Sequence, residues 1–474
     1  MPTNDSQPAQ HSSPDQSSTS AASQGAESAL PGKWYTRIGP GLITACVVIG
    51  PGSIMTSSNI GASDGYSMLW VVIVSVAFMM MYMTLGAKLG AVADGAPCDL
   101  IRRKVGKPLA VAVGVGVFFI SAAFQSGNNI GVAAAFEAFV DSKLLVAVLV
   151  VGFNVIAISF LFAFRDMYRV LEKLMTGFVA LMLISFAINL LALKPNVADL
   201  LAGFIPSAKD ASDPLSVLGL IGTTFVITAA FYQAYLVRQK GWKAEDLKSG
   251  LIDARVGSVI MFLITVMLMS TAAAAFNGKE GVVLKDPVDV ATALQTTFGP
   301  SAKIIFCLGL FSAAYSSFLV NSMIGGFMAA DGLGIGSKPT DAGPRALTTI
   351  ALLTGMAVGV AVLAFDFDRT PTIIAAQAVT VVAAPLVAGV LLWLTSSKDV
   401  MGSNVNGPAT TAFAGLGLIM LIGMAAKTAF IDLPKKIEAY RNPVAATATD
   451  DDPVDQSQTD GDTPADDESA EVNP

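Results

Sequence analysis

The chain contains 474 residues, of which 53% are hydrophobic and only 14% are charged. Because a soluble globular domain usually carries about 25% charged residues, this composition excludes an ordinary soluble enzyme, a disordered protein and a disulfide-stapled secreted domain. Nucleic-acid binding is excluded as well, since the sequence has no basic stripe. We therefore predict an all-α polytopic protein of the cell membrane, with the lipid bilayer as its surroundings.

Polar tails flank the apolar core. Residues 1–35 and 431–474 are rich in Ser, Asp, Pro, Gln, Thr and Ala, and such segments bury too little apolar surface to fold. The first 32 and the last 33 residues hold 13 acids and no Lys or Arg, which leaves 29 bases against 23 acids between them. We predict two disordered tails, the second of them acidic, around a transmembrane domain at 36–430.

Eleven apolar stretches are long enough to cross a bilayer, which takes about 20 residues. They lie near residues 41–61, 68–89, 108–138, 144–163, 171–193, 215–237, 254–277, 303–330, 346–365, 372–395 and 409–426. If the N-terminus is cytoplasmic, the inner connections hold 18 Lys and Arg residues and the outer connections hold seven. Since basic residues favour the cytoplasmic side, we predict this orientation, with the acidic C-terminal tail outside.

The three cysteines, Cys46, Cys98 and Cys307, lie in or beside apolar stretches and have no CxxC spacing, so we predict that they are buried small residues. Cys46 and Cys307 have no His or acid to activate them, and the single histidine is His11 in the first tail. An intramembrane enzyme needs a nucleophile with its base or a metal site. We therefore predict that the protein is not an enzyme and carries no cofactor.

The first span contains Gly50-Pro51-Gly52 in its middle. Proline removes a backbone donor and clashes with the preceding turn, which predicts either a simple kink or an unwound midpoint whose freed carbonyls line a cavity. The sixth span contains a run poor in helix formers, from Gly222 to Thr228, but it has no proline. If both spans are broken, spans 1–5 and 6–10 form an inverted repeat with span 11 added.

Several motifs resemble those of the Nramp (natural resistance-associated macrophage protein) divalent metal transporters. They are Gly39-Pro40-Gly41, Gly50-Pro51-Gly52-Ser53, Gly61-Ala62-Ser63, Gly65-Tyr66, Ala87-Lys88-Leu89-Gly90, Tyr168-Arg169-Val170-Leu171-Glu172-Lys173, Gly222-Thr223-Thr224, Gln377-Ala378, Pro385 and Met401-Gly402. The resemblance implies the LeuT-type fold, with about 11 transmembrane helices. It places one repeat near 36–193, an inverted repeat near 215–395 and an extra helix near 409–426. It also implies alternating access around a site between broken helices 1 and 6.

The ligand motifs of the family are altered in this chain, which makes it a divergent member. Gly50 and Ser53 stand where the family has a metal-binding Asp and Asn, and Val226 begins the triplet that corresponds to the family's Met-Pro-His. Gln125 and Asn128 replace the Asp and Glu of the family's proton path. On this resemblance the predicted substrate-binding residues are Gly50, Ser53, Thr223 (through its carbonyl), Val226 and Gln377, the predicted substrate path includes Gln125, Asn128 and Thr228, and the candidate metal ligands are Ser53, Thr223 and Gln377.

These departures leave two hypotheses for the substrate. The resemblance implies a secondary transporter of a divalent cation, Mg²⁺ or Mn²⁺, whereas the missing carboxylates and soft donors favour a neutral or zwitterionic small solute. A metal ion would stay largely hydrated at such a site, as Mg²⁺ prefers. Since amides and Thr do not titrate, proton coupling by the family's route is predicted to be lost. A non-transporting sensor is a third hypothesis, but no signalling domain supports it.

Polar residues in and near the spans can also have purely structural roles instead of contacting the substrate. The central amides either join helices or contact the substrate, and the sequence does not separate these roles. Asp64 is interpreted as a solvated loop acid, with an outer cation-collecting site as the alternative. Asp166 and Glu172 neighbour Arg169 and other bases, so we predict structural ion pairs there. The sequence leaves the oligomeric state open.

Overall fold

The computed structural model describes residues 39–434 apart from 165, 207–219, 280–283, 285, 366, 368 and 433. Side chains are described for the same residues except 297, 369–382 and 432. The predicted tails, 1–35 and 431–474, therefore lie outside the described residues apart from a few at 431–434. The described part is almost entirely helical and contains no β-strand.

Seventeen helices follow one another along the described chain. They are α1 (Pro40–Val48), α2 (Pro51–Asp64), α3 (Leu69–Val92), α4 (Pro97–Lys104), α5 (Lys107–Glu137), α6 (Lys143–Ala163), α7 (Met167–Leu193), α8 (Val197–Ala202), α9 (220–224), α10 (Ile227–Lys240), α11 (Leu247–Phe276), α12 (Pro287–Phe298), α13 (Pro300–Leu333), α14 (Ala342–Phe365), α15 (Arg369–Ser396), α16 (Lys398–Met401) and α17 (Pro408–Lys427).

Local sequence explains many of the helix ends. In the described part, seven helices carry proline at their first or second position, where the missing N–H costs nothing. Two long helices end in a left-handed glycine, α10 at Gly241 (φ 82°) and α13 at Gly334 (φ 81°). Glycine adopts this conformation without a Cβ penalty, so it closes these helices at little cost.

The helices agree with the predicted spans. Among the described residues, nine helical segments are long and apolar enough to cross a membrane when α9 and α10 count as one, or ten when the bent pair α1 and α2 also counts as one span. The tenth predicted span coincides with α15, which is 28 residues long and whose described apolar part is Ala383–Ser396. The prediction of an all-α polytopic membrane protein is confirmed, and α15 lies at the place of the tenth predicted span.

The bundle is built around α13, which packs against α5, α7, α14 and α1. Helix α11 lies against both halves of the first span and crosses α1 at a pair of glycines. A Cβ on Gly41 would strike the Asp253 backbone, and a Cβ on Gly257 would strike the Gly41 carbonyl. Small residues of this kind let helix backbones approach closely in membranes, so the first span is held tightly along one side.

Candidate functional site

The first span is broken at the predicted place. Helix α1 ends at Val48 and α2 begins at Pro51, and the two are bent by 59°. The Gly50 N–H donates to the Val48 carbonyl at 3.1 Å instead of continuing the helix, and Gly50 caps α2 in an extended conformation. Because Pro51 has no N–H, this interruption follows directly from the sequence.

Two carbonyl groups at the end of α1 have no N–H partner in their own helix, and side chains of α13 donate hydrogen bonds to them. The Ser316 hydroxyl donates to the Cys46 carbonyl at 3.5 Å and also to its own helix, and the Ser317 hydroxyl donates to the Val47 carbonyl at 3.2 Å. Orphan carbonyls in a membrane interior must find donors. The break is thus a fixed structure, held by hydroxyl groups of the neighbouring helix.

Two other helices surround the glycine at the break. A Cβ on Gly50 would lie 3.1 Å from Ser317 Oγ of α13 and 3.4 Å from Asn128 Oδ1 of α5. Gly131 of α5 lies so close to the Pro51 ring that it has no room for a side chain. The site around Gly50 is therefore formed by the first span together with α5 and α13.

Two amides of α5 near the break, Gln125 and Asn128, differ in how far their hydrogen-bonding groups are occupied. Gln125 Nε2 donates to the Phe318 carbonyl at 3.0 Å, and its Oε1 accepts from Asn128 at 3.3 Å and Asn321 at 3.4 Å. Gln125 is thus occupied in joining α5 to α13. Asn128 Oδ1, by contrast, accepts no hydrogen bond from the described residues and lies beside Gly50.

Ser53 lies in the first turn of α2 and is only 4% exposed. Its hydroxyl makes no hydrogen bond within the described part of the chain. Together with Asn128 Oδ1, Ser317 Oγ and the Val47 carbonyl, it gives the break a set of neutral oxygens. No group of three or more His, Cys, Asp or Glu side chains suited to a metal occurs among the described residues.

The sixth span is also interrupted, inside the predicted run from Gly222 to Thr228. Helical structure stops between α9 and α10 at Phe225 and Val226. The N–H groups of Ala229 and Ala230 both donate to the Val226 carbonyl. The Phe225 carbonyl therefore does not accept the hydrogen bond from Ala229 that a continuous helix would make. The Phe225 ring packs against Tyr82 of α3 with 5.3 Å between centroids, which anchors the break without a proline.

The predicted site residues fall into two groups. Gly50, Gln125 and Asn128 lie together at the first break, as described above. Thr223, Val226 and Thr228 are buried around the second break, on a span that contacts α1. Gln377 belongs to α15, but its side chain lies outside the described residues.

The sequence predicted no role for two buried carboxylates, because each lies one residue outside a predicted apolar stretch. Asp253 of α11 is fully buried and accepts hydrogen bonds from the Gly39 N–H at 2.7 Å and the Gly41 N–H at 2.6 Å. It therefore caps the start of α1, where a negative charge is favourable. Asp331 of α13 does the same for α4, accepting from the Cys98 N–H at 2.9 Å and from the Tyr235 hydroxyl at 2.7 Å.

We name the end of the bundle where α1 begins the inner end, which the charge distribution predicts to be cytoplasmic. Both acids form ion pairs there, as predicted: Asp166 pairs with its neighbour Arg169 at 3.3 Å, whereas Glu172 pairs with Lys240 of α10 at 2.9 Å, a partner that the sequence did not indicate. At the opposite end, Asp64 is the last residue of α2 and accepts from the Ser63 hydroxyl. All three cysteines are buried and free, as predicted.

Known proteins resemble this chain over most of its length. A family profile described as Nramp, natural resistance-associated macrophage protein-like, matches residues 41–430. A protein of Mycobacterium leprae named divalent metal cation transporter MntH is 24% identical, covering 85% of this chain and 93% of that protein. The protein of the same name from Deinococcus radiodurans is 23% identical, covering 82% of this chain and 88% of the relative.

Solved structures show the same fold. A manganese transporter from Eremococcus coleocola, in complex with an aromatic bis-isothiourea substituted compound, aligns with a TM-score of 0.75 at 19% identity, over 91% of this chain and 96% of that one. MhsT in complex with L-phenylalanine aligns with a TM-score of 0.53 at 15% identity, over 83% of this chain and 99% of the other. These likenesses establish the LeuT-type architecture that the motifs implied.

Proposed function

The chain belongs to the Nramp family, and from that membership we propose that it is a secondary transporter that moves a divalent metal cation across the cell membrane by alternating access. It is not an enzyme. The relatives from Mycobacterium leprae and Deinococcus radiodurans carry the name divalent metal cation transporter, which supports a metal ion as the substrate. We propose Mg²⁺ or Mn²⁺ as that ion.

The observation that carries the proposal is the match of the Nramp family profile to residues 41–430, and the neutral oxygens at the first helix break are the proposed contacts for the ion. Ser53, Asn128 and the Val47 carbonyl offer hard oxygen ligands and no formal charge. Mg²⁺ gives up its water reluctantly and is usually bound with several waters in place. The ion is therefore proposed to bind largely hydrated, with protein oxygens contacting its water shell.

The predicted ligands Ser53, Thr223 and Gln377 remain part of this proposal, with Gly50 and Val226 as the small residues beside them. A site without sulfur or nitrogen ligands has little means to prefer soft transition metals. The proposed site therefore discriminates among divalent ions mainly by size and hydration.

We also propose that transport proceeds without proton coupling. The places of the family's proton path are taken by Gln125, Asn128 and Thr228, none of which titrates. The driving force would then be the ion gradient together with the membrane potential, which is worth about 2.3 kcal/mol per charge per 100 mV. The N-terminus is proposed to be cytoplasmic, since the inner connections hold 18 Lys and Arg residues and the outer connections hold seven.

The alternative substrate is a neutral or zwitterionic small solute. It is favoured by one observation, the lack of a carboxylate among the described residues around Gly50. Hydroxyl and amide groups in a buried site suit hydrogen bonding to such a molecule.

Isothermal titration of the purified full-length protein with Mg²⁺, Mn²⁺ and Ca²⁺, paired with liposome uptake of each ion, separates the two substrates. Saturable binding and uptake of Mg²⁺ or Mn²⁺ supports the metal proposal. A folded preparation that neither binds nor moves any of the three ions would transfer the proposal to an organic solute.

A further inference from the structure

Three amide side chains and one backbone carbonyl form a chain of hydrogen bonds between α13 and the first helix break. Gln125 Nε2 donates to the Phe318 carbonyl of α13 at 3.0 Å. Gln125 Oε1 accepts from Asn128 Nδ2 at 3.3 Å and from Asn321 Nδ2 at 3.4 Å. All four residues are at most 5% exposed, so bulk water does not compete for these bonds.

Backbone carbonyl groups fix the direction of the bonds in this chain. A carbonyl can only accept, so the Phe318 carbonyl must face the NH₂ group of Gln125. The Gln125 oxygen then faces the two asparagines, and only their NH₂ groups can bond to it. The NH₂ group of Asn321 also donates to the Ser121 carbonyl at 2.8 Å, which holds that amide in the same orientation.

The orientation of Asn128 determines which of its atoms the helix break meets. Because its NH₂ group bonds to Gln125, its oxygen Oδ1 points the other way, and it would lie 3.4 Å from a Cβ on Gly50. A reversed amide would present N–H donors at this place instead. Oxygen attracts a cation and the hydrogens of its water shell, whereas an N–H group repels both.

Neighbouring helices leave Gln125 no room to turn. A Cβ on Gly355 of α14 would lie 2.5 Å from Gln125 Cγ and 2.6 Å from Gln125 Cβ, so α14 packs directly on this side chain. About one turn after Asn128, Gly131 of α5 lies against the Pro51 ring, which fixes the position of α5 beside the break. The amide chain is therefore held by packing as well as by hydrogen bonds.

We propose that Gln125 is a positioning residue for the ion site: it holds the Asn128 amide with its oxygen toward the first helix break, and so makes the break a site for cations. This inference rests on the proposed function, since it takes the break as the place where the ion binds. Gln125 acts on the ion through Asn128 and not by contact, because its own amide atoms are used by Phe318, Asn128 and Asn321.

A double-mutant cycle, with isothermal titration of Mg²⁺ and Mn²⁺ into the full-length protein in detergent, tests the proposal. Gln125→Met nearly keeps the length of the side chain and removes its hydrogen bonds, and Asn128→Leu removes the oxygen at nearly constant volume. Each single variant is expected to bind the ion roughly tenfold more weakly, which corresponds to about 1.4 kcal/mol. The double variant is expected to lose no more than Asn128→Leu alone, because Gln125 then has no amide to orient.

Two results of this cycle would overturn the proposal. One is a roughly hundredfold loss of affinity in the double variant, which is the product of two independent effects. The other is an unchanged affinity in Gln125→Met, since the orientation of Asn128 would then not depend on Gln125.

Asn154→Leu is the matched control. Asn154 of α6 is fully buried and donates to Asn129 Oδ1 of α5 at 2.7 Å, so this variant also breaks a buried amide bond between two helices. It leaves the chain from Phe318 to Asn128 intact, and its affinity for the ion is expected to stay close to the wild-type value. Equal weakening by Asn154→Leu and Gln125→Met would also contradict the proposal, because any loss of a buried amide would then have the same effect.

Unfolding temperatures of the wild type, the two single variants and the double variant separate this inference from the proposed function. The bond between Gln125 and Asn128 predicts that their effects on the unfolding temperature are also non-additive, whatever the protein transports. Additive effects would overturn the positioning role even if the wild type binds an ion. A wild type that binds neither ion, with the non-additive effect present, would overturn the proposed function and support Gln125 as the residue that orients Asn128.

Discussion

At the first helix break, the described polar groups around Gly50 are neutral oxygens, whereas at the inner end of the same span a carboxylate, Asp253, holds the chain. Both places are buried, and both lie where a helix starts. At the inner end, two backbone N–H groups within 2.7 Å stabilise the carboxylate of Asp253 by hydrogen bonds. At the break, the nearby serines of α13 donate to carbonyl groups, so an anion there would find few donors.

The difference shows that the groups which fix helix ends are distinct from the groups proposed to bind the substrate. A buried charge is tolerated where fixed donors satisfy it, and Asp253 and Asp331 each cap a helix start in this way. Around the break, the uncharged oxygens of Asn128 and Ser53 accept no hydrogen bond from the described residues, an arrangement that suits a cation with its water shell. The carboxylates thus serve the architecture, and the uncharged oxygens are the proposed substrate contacts.

The largest expected effect comes from removing the inner-end anchor. Asp253→Asn keeps the volume but turns an NH₂ group toward a backbone N–H and removes the charge. We expect a loss of stability of about 3 kcal/mol, from two charge-assisted hydrogen bonds. Thermal unfolding of the detergent-purified protein measures this loss. Asp399→Asn is the control, since that side chain is 78% exposed, and an equal loss in both variants would show that the anchor has no special role.

A steric change at the break is expected to be next in size. Gly131→Ala drives a methyl group into the Pro51 ring, and forced overpacking costs about 1–3 kcal/mol. We expect lower thermal stability and weaker substrate binding. Gly127→Ala, one turn earlier on α5, meets nothing within 4 Å and is expected to be neutral or slightly stabilising. Equal behaviour of the two variants would contradict the close packing of α5 on the break.

A carboxylate introduced at the first helix break tests whether the ion binds there. Gly50→Asp is sterically possible because the backbone is extended (φ −110°, ψ −178°) and the nearest atom is the rotatable Ser317 hydroxyl. We expect at least roughly tenfold tighter Mn²⁺ binding, or about 1.4 kcal/mol, and a further gain on adding Ser53→Asn. Gly50→Asn is the matched control, since it caps α2 equally without charge. Unchanged titrations in Gly50→Asp would place the ion elsewhere.

The smallest effect is expected at an exposed ion pair of the inner end. The hydrogen bond from Arg103 lowers the pKa of Asp94 below its ordinary value of 3.8. A lowered folded-state pKa stabilises the fold above pH 3.8, and this contribution is lost as the pH falls through the folded value. Because Asp94 is 77% exposed, the contribution is at most about 0.5 kcal/mol. Unfolding temperatures of wild type and Asp94→Asn should differ slightly at neutral pH and converge on acidification.

Much of the fold was accessible from hydropathy and proline positions, since both act locally. The apolar stretches coincide with the helices, and Pro51 marks the first break. The second break depends on the packing of Phe225 against Tyr82 of α3, a residue that lies more than 140 positions earlier in the chain. Asp253 was missed for a similar reason. An apolar stretch read from hydropathy ends at an acid, although the helix itself continues through Asp253. The two backbone groups that donate hydrogen bonds to the Asp253 carboxylate lie 212 and 214 residues away in sequence, so no local pattern reveals them.

The site itself was predicted only in part. The positions of Gly50 and Asn128 follow from the family motifs, and the structure places them together. The occupation of Gln125 by Phe318 and Asn321 of α13 depends on tertiary contacts, which no spacing in the sequence reveals. Only the packing of the helices therefore shows which amide joins two helices and which is available to the substrate.

The central claim is that an uncharged site moves a divalent cation without protons. Simultaneous recording of metal uptake and internal pH in proteoliposomes, under a fixed membrane potential, tests it most directly. The account predicts saturable Mg²⁺ or Mn²⁺ uptake with no accompanying proton flux, and a rate that is unchanged when only the pH gradient is reversed. Proton entry in a constant ratio to the metal would contradict it.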